Sequence, residues 1–310
     1  MSTANTGLLL VEPAAFGFNN ETAATNRFQQ ASGISPIAAS EAARREFAAL
    51  IKVLRDAGVP VAVAADTSEP VKPDAVFPNN WVSFHADGTV VLYPMLNPSR
   101  RAERREAVID AAKAQLGFLE TQRIDLSAHE QGGHFLEGTG SLVLDHRARV
   151  AYASRSPRTD ATLVHEWAKA LGYEAFLFDT ATPDGVPVYH TNVLLWIGEK
   201  VAGIGMEWIA REQRAALAAK LRASGRELLL LDDTQLRHFA GNMLEVQGAA
   251  GRRLVMSAAA HASLSNQQRA LLAATGTEPL VAAIPTIERL GGGSVRCMLA
   301  EVPLPSRSAG

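Results

Sequence analysis

The stretch that decides the fold is residues 135–152, FLEGTGSLVLDHRARVAY, in which a polar head precedes two short apolar runs joined by a polar turn. The same pattern recurs at residues 77–93, 189–204 and 239–256. Each copy is typical of a β-hairpin, with turn residues such as Asp87 and Gly88 between the two runs. The copies therefore indicate a fold built from internal repeats.

A helical segment and a further short strand follow each hairpin. Apolar residues recur at helical spacing in residues 101–116, 160–171, 209–224 and 264–274. Glycines that favour a helix end follow them, namely Gly117, Gly172, Gly225 and Gly276. The strands predicted next are residues 121–126, 174–178, 227–231 and 280–284. The repeating unit is therefore strand–strand–helix–strand.

The N-terminal segment fits a partial unit, with a strand at residues 8–11, a helix at 41–57 and a strand at 59–64. The polar residues at the heads of the units recur roughly every 50–57 residues. They are Asn80, Glu137, Asn192, Asn242 and Cys297. Units arranged in a ring bring equivalent positions together at one end, whereas a linear solenoid sets them in a row. We favour a ring, because the units are few and the reactive residue types differ between them.

Composition narrows the class of protein. The chain has 310 residues, of which 47% are hydrophobic and 20% charged, as expected for a folded globular protein. With a net charge of −2, the protein has no strong positive potential that would favour binding to nucleic acid or an anionic membrane. The apolar run at 8–11 is too short for a signal peptide, and no stretch is long enough for a membrane helix. We predict one domain over residues 1–310, with a frayed tail at 306–310.

Cys297 is the only cysteine, so no intrachain disulfide can form, as is typical of the reducing cytoplasm. Three glycines, residues 291–293, allow the backbone before it to approach a ligand closely. A lone buried cysteine is often an inert apolar residue. The neighbouring Arg296 favours a reactive thiolate instead, because a nearby cation lowers the pKa of a thiol.

His190 and Glu137 lie at the polar heads of their own repeating units, in positions equivalent to that of Cys297. A histidine beside a thiol can activate it and later protonate a leaving group. Glu137 lies among apolar residues and glycines, where it either caps a turn or is a buried carboxylate with a partner. Together the three residues form a candidate nucleophile, base and orienting carboxylate.

No cofactor or metal is predicted. His129, His134 and Glu137 match no standard metal-ligand spacing. The sequence contains no dinucleotide-binding glycine motif, no Walker loop and no nucleophile elbow.

Residues 16–29 form a long polar loop before the first helix. Loops of this length are often functional. We expect a substrate lid in which Asn19 or Arg27 contacts the ligand, and a plain surface connection is the alternative.

The chain resembles the guanidino-group modifying enzymes, or penteins, over nearly its whole length. The resemblance is carried by Phe-Leu-Glu-Gly at 135–138, His-Thr-Asn at 190–192 and Gly-Gly-Gly-Ser-x-Arg-Cys at 291–297. It implies an α/β fold, a five-fold pseudosymmetric α/β propeller. It also implies that Cys297 is the nucleophile, His190 the acid and base, and Glu137 its partner. Arg158, in a Ser-x-Arg-Thr segment at 156–159, would bind the substrate α-carboxylate.

Two departures from arginine deiminases bear on the substrate. Those enzymes resemble this chain but have aspartates where it has Asn80 and Asn192. A guanidinium favours carboxylates, whereas an amide offers both a donor and an acceptor and suits a neutral ureido group. We therefore expect Asn80, Asn192 and Asn242 to contact citrulline, hydrolysed to ornithine, carbon dioxide and ammonia. This is the activity of the citrulline-utilisation hydrolases, the group the chain resembles most.

The expected partner is a small amino acid, with no nucleic acid and no membrane, and a homodimer is left open. Arginine or methylarginine deimination and amidino transfer are alternatives within the same superfamily. A binding protein without catalysis is another, because a ribosome anti-association factor shares the fold. A metallohydrolase is the last alternative.

Overall fold

The computed structural model describes residues 6–305, and the predicted frayed tail at 306–310 lies outside the described residues. Fifteen strands in this part of the chain form five three-stranded sheets. The first strands in chain order are β1 (Thr6–Glu12), β2 (Val61–Ala65), β3 (Val82–Phe84), β4 (Thr89–Leu92) and β5 (Gln122–Asp125). The next are β6 (Leu142–Asp145), β7 (Val150–Ser154), β8 (Glu174–Phe178), β9 (Leu195–Ile197) and β10 (Val201–Ile204). The last are β11 (Glu227–Leu230), β12 (Leu244–Gly248), β13 (Gly251–Ser257), β14 (Glu278–Ala282) and β15 (Ala300–Pro303).

Every sheet has the same topology, in which a hairpin pairs antiparallel and its second strand pairs parallel with the strand after the helix. The orders are β3-β4-β5, β6-β7-β8, β9-β10-β11 and β12-β13-β14. In the fifth sheet β15 pairs antiparallel with β1, and β1 pairs parallel with β2. The C-terminal strand thus completes the partial N-terminal unit and closes the ring. The prediction of a five-fold α/β propeller is confirmed.

Helices connect the parallel strands and cover the sheets. In the first half of the described chain they are α1 (Asn20–Ala23), α2 (Pro36–Asp56), α3 (Pro98–Arg101), α4 (Glu106–Leu116), α5 (Gly138–Ser141) and α6 (Ala161–Leu171). In the second half they are α7 (Arg214–Ala223), α8 (Asp233–Arg237), α9 (Ala258–Ser263), α10 (Asn266–Ala274) and α11 (Pro285–Gly291). Asp160 caps α6 by accepting from the N–H groups of Thr162 and Leu163, and Gly172 ends it in the left-handed conformation. No helix within residues 6–305 is long and apolar enough to cross a membrane.

Several elements differ from the sequence predictions. The helix predicted at 41–57 begins at Pro36, and the helix predicted at 209–224 begins at Arg214. The helix predicted at 101–116 is divided into α3 and α4, because Arg105 is extended and interrupts it. The strand predicted at 280–284 lies at 278–282, where Glu278 pairs with Arg253 across the sheet. The short helices α9 and α11 were not predicted, because the sequence around them shows little helical periodicity.

The heads of the units meet at the centre of the ring. They form short turns at Pro78–Asn80, Thr191–Val193 and Val295–Met298, together with α5, and these turns pack against one another. Gly138 has a φ of +46°, and a Cβ there would lie 2.2 Å from the carbonyl oxygen of Asn79. Only glycine allows these two heads to approach so closely.

Candidate active site

The thiol of Cys297 lies between two amides from neighbouring units. The side-chain nitrogen of Asn242 lies 3.3 Å from the sulfur, and that of Asn192 lies 3.7 Å from it. Asn242 also donates to the backbone carbonyl of Asn192 at 2.9 Å, which joins the two heads. The two amides therefore border the one thiol of the chain.

Burial sets the protonation state of this thiol. It raises the pKa of Cys297, and the hydrogen bonds from Asn242, Ser294 and Asn192 only partly offset it. Arg296 also lowers the pKa, while its guanidinium donates to the carbonyl of Leu299 and pairs with Glu301 at 3.1 Å. Arg296 thus acts in the expected direction, but burial outweighs it and the net shift in the pKa of the Cys297 thiol is upward.

His190 is held by Glu137. Its Nε2 lies 2.8 Å from Oε2 of Glu137, and both side chains are buried. Burial lowers the pKa of His190 to about 4, although the carboxylate opposes the shift. The imidazole is therefore neutral at physiological pH and free to accept a proton.

Glu137 is a fully partnered buried carboxylate and not a turn cap. Its Oε2 also accepts from Arg158 at 3.1 Å, and its Oε1 accepts from the backbone N–H of Leu96 at 3.1 Å. Burial alone would raise the pKa of Glu137, but Arg158 and His190 outweigh it and hold the pKa well below its usual range. The group is ionised throughout the physiological range.

One narrow cavity collects most of the predicted residues. Cys297, His190, Asn80 and Arg158 line it, with Glu137 behind His190 and Asn192 and Asn242 beside the sulfur. Asn80 approaches His190 because residue 140 is glycine. A Cβ at Gly140 would lie 2.5 Å from the amide nitrogen of Asn80 and 2.8 Å from the ring of His190.

Asp74 lines the same cavity and was not predicted. It is buried, its Oδ2 accepts from Asn19 at 2.8 Å, and its Oδ1 has no hydrogen-bond partner within residues 6–305. Burial raises its pKa, although Arg100 and Asn19 oppose the shift. Asp74 lies in an apolar stretch, the signal that singled out Glu137, so the same reasoning could have found it.

Arg100 also lines the cavity and was not predicted. It is buried and forms two hydrogen bonds to Glu103. Nothing in the sequence separates it from Arg101, Arg104 and Arg105.

The loop predicted as a lid lies over this cavity, and Thr22 and Asn26 line it. The amide of Asn26 donates to the carbonyl of Gly291 at 3.1 Å, and Arg158 donates to the hydroxyl of Thr25 at 2.7 Å. The ring of Phe28 packs against Phe239 at 5.4 Å between centroids.

The two residues named from this loop are placed differently. Asn19 caps α1 and bonds to Asp74 beside the cavity. Arg27 is exposed and lines a separate cavity of about 290 Å³ with Phe28 and Trp208.

The histidines considered for a metal site have other partners. His129 lies 3.4 Å from Glu166, and His134 lies 2.8 Å from Asp160. Within residues 6–305, no group of three histidine, cysteine, aspartate or glutamate side chains could hold a metal ion.

Solved structures share this fold at low sequence identity. The N-terminal domain of ArgZ, a cyanobacterial arginine dihydrolase bound to its substrate, matches with a TM-score of 0.75 at 16% identity, covering 97% of this chain and 99% of that one. AgrE in complex with ornithine and NAD+ matches with a TM-score of 0.75 at 17% identity, and the alignment covers 98% of this chain but only 40% of AgrE. A dimethylarginine dimethylaminohydrolase adduct with S-methyl-L-thiocitrulline matches with a TM-score of 0.63 at 14% identity, covering 96% and 99% of the two chains.

Among curated proteins, none matches the sequence. The family model for N,N dimethylarginine dimethylhydrolase, eukaryotic, matches residues 12–304, which is nearly the whole chain. The protein therefore belongs to the N,N dimethylarginine dimethylhydrolase family, within the pentein superfamily of guanidino-group modifying enzymes.

Proposed function

We propose that this protein is a thiol-dependent hydrolase of the ureido group of citrulline. The observation that carries the proposal is the pair of amides at the sulfur, Asn192 and Asn242. A guanidinium is cationic and donates only, so it is bound best by carboxylates. A site with amides at this position suits a neutral group that contains both a carbonyl oxygen and N–H groups.

Two buried polar atoms beside the cavity suit the amino-acid end of such a substrate. Asp74 Oδ1 is a buried acceptor without a partner, and Arg158 Nε is a buried donor without one within residues 6–305. Buried polar atoms of this kind favour a ligand that supplies the missing hydrogen bonds. Asp74 would accept from the α-ammonium group and Arg158 would donate to the α-carboxylate.

The chemistry follows from the protonation states. His190 takes the thiol proton of Cys297 as the sulfur bonds to the ureido carbon, whose oxygen gains negative charge. Amide N–H groups stabilise this oxygen. The imidazolium then protonates the ureido nitrogen that belongs to ornithine. The bond between this nitrogen and the ureido carbon breaks, ornithine leaves, and a thiocarbamate on Cys297 remains.

Water completes the reaction. His190 removes a proton from water, which attacks the thiocarbamate carbon and releases the sulfur. Glu137 stabilises the imidazolium in both steps. Citrulline and one water thus give ornithine and carbamic acid, which decomposes to carbon dioxide and ammonia.

Guanidine hydrolysis is the second candidate. The matched family model describes dimethylarginine hydrolysis, and ArgZ is an arginine dihydrolase. A substrate such as arginine would use the same sulfur, imidazole and carboxylate, and would release ammonia or an amine first.

Product identification separates the two candidates. The purified protein is incubated with citrulline and with arginine in separate reactions, and amino-acid products are quantified. We expect ornithine from citrulline and a much slower consumption of arginine. Formation of citrulline from arginine, with citrulline itself left unchanged, would overturn the proposal.

A further inference from the structure

Arg100 controls which way the amide of Asn80 points. The guanidinium NH1 group of Arg100 donates to Oδ1 of Asn80 at 2.8 Å. Arginine has donors and no acceptor, so only the oxygen of the amide can face it. The nitrogen of Asn80 must therefore face the opposite side.

That opposite side is the reacting end of the cavity. The amide nitrogen of Asn80 donates one hydrogen to Oδ1 of Asn79 at 3.1 Å. It also borders Gly140 and the ring of His190. The second hydrogen of this NH2 group remains for a ligand, so Asn80 presents a donor beside the catalytic imidazole.

Glu103 holds Arg100 in this position. Its two carboxylate oxygens accept from Nε and NH2 of Arg100 at 2.9 and 2.8 Å, and both side chains are buried. A bidentate pair of this kind fixes both the plane and the direction of the guanidinium. The third nitrogen is thereby directed at Asn80.

We infer that Arg100 and Glu103 determine substrate specificity. They fix Asn80 as a hydrogen-bond donor, which favours binding of a ureido oxygen and disfavours binding of a guanidinium. A ureido group has an oxygen that accepts this bond, whereas a guanidinium meets it with another N–H group. A buried donor facing a donor leaves both without partners, which is the strongest form of discrimination available to a small site. This inference rests on the proposed function.

Simple binding of the substrate carboxylate by Arg100 is the competing explanation. Citrulline and arginine have the same α-carboxylate, so loss of that contact would weaken both substrates equally. The ratio of their kcat/KM values separates the two roles. Removal of Arg100 alone would also change the local charge, so the test variant must be neutral overall.

The test variant is Arg100→Met/Glu103→Met, which removes one positive and one negative charge. Replacement of both members of a buried pair by apolar residues is often tolerated by the fold. The control is Arg104→Met/Glu130→Met, which removes a similar bidentate pair that does not contact Asn80.

The measurement is kcat/KM for citrulline divided by kcat/KM for arginine, in each folded variant. We expect the ratio to fall at least roughly tenfold in Arg100→Met/Glu103→Met and to stay within about twofold of wild type in the control. An unchanged ratio in the double variant, with both substrates weakened equally, would overturn the inference while leaving the proposed function intact. A wild-type protein that prefers arginine would instead overturn the proposed function, before any variant is considered.

Discussion

Oε2 of Glu137 accepts from both Nε2 of His190, at 2.8 Å, and NH1 of Arg158, at 3.1 Å. One carboxylate oxygen therefore links the proposed base to the proposed carboxylate-binding residue. Arg158 keeps Glu137 ionised, and Glu137 in turn can stabilise a proton on His190. In the proposed reaction, binding of the amino-acid end and proton transfer at the other end would therefore both depend on this side chain.

Glu137→Gln tests this link. The substitution removes the charge that stabilises the imidazolium and leaves Arg158 buried without a counter-ion. We expect kcat for citrulline to fall about a thousandfold and stability to urea to fall by about 3 kcal/mol. Asp145→Asn is the matched control, because Asp145 is another buried carboxylate paired with an arginine, Arg226, away from the cavity. It should lower stability without lowering kcat, and a similar kcat for Glu137→Gln and wild type would exclude the proposed role.

The protonated resting thiol gives a second prediction. Cys297 is the only thiol in the chain, so its alkylation by iodoacetamide is followed without interference. Because burial raises its pKa, the alkylation rate should climb about tenfold per pH unit between roughly pH 6 and pH 8. Intact-protein mass spectrometry over time measures the rate, with Cys297→Ala as the blank. A rate that is already constant across this range would show a preformed thiolate instead.

Gly140→Ala tests the close contact between Asn80 and His190. The new Cβ would lie within 2.8 Å of both side chains and must push them apart. We expect kcat/KM for citrulline to fall roughly a hundredfold, since displacements of about 1 Å have such effects, while the protein remains folded. Gly33→Ala serves as the control, because nothing lies within 4 Å of its Cβ position. Equal activity of the two variants would argue against the arrangement.

The lid makes a fourth prediction, through Asn19→Ala. Asn19 caps α1 and bonds to Asp74, so its loss should destabilise the protein by about 1 kcal/mol and release the loop from the cavity. We expect KM for citrulline to increase roughly tenfold. Ser35→Ala removes a cap of α2 that makes no contact with the cavity, and it should cost similar stability without affecting KM. A normal KM in Asn19→Ala would restrict Asn19 to a structural role.

The fold was predictable from the sequence because each unit combines local signals that agree. The strand at Glu174–Phe178 was predicted at its exact bounds, since Gly172 ends the preceding helix and an apolar run follows. The closing pair of β1 and β15 was not predicted, because it joins residues at opposite ends of the chain. Pairing across such a separation has no local signature.

The site was predictable where a residue stood at a repeated position or, as for Arg158, in a segment that resembles one of the family's. Glu137, His190 and Cys297 share one place in the repeat. In the structure Glu137 contacts His190, and His190 and Cys297 line the same cavity. Asp74 and Arg100 lie outside that place. Asp74 could have been noted as a carboxylate in an apolar stretch, whereas only burial and contacts reveal Arg100. Arg27 was predicted to contact the ligand as part of the long polar loop, but it lines another cavity.

The most direct test of ureido hydrolysis at Cys297 is a competition experiment. Equal amounts of citrulline and arginine with different isotopic labels are mixed with the protein, and the label in the ornithine formed is determined by mass spectrometry. The account predicts that wild-type ornithine derives from citrulline and that Cys297→Ala forms none. Ornithine derived from arginine, or undiminished turnover of citrulline by Cys297→Ala, would contradict it.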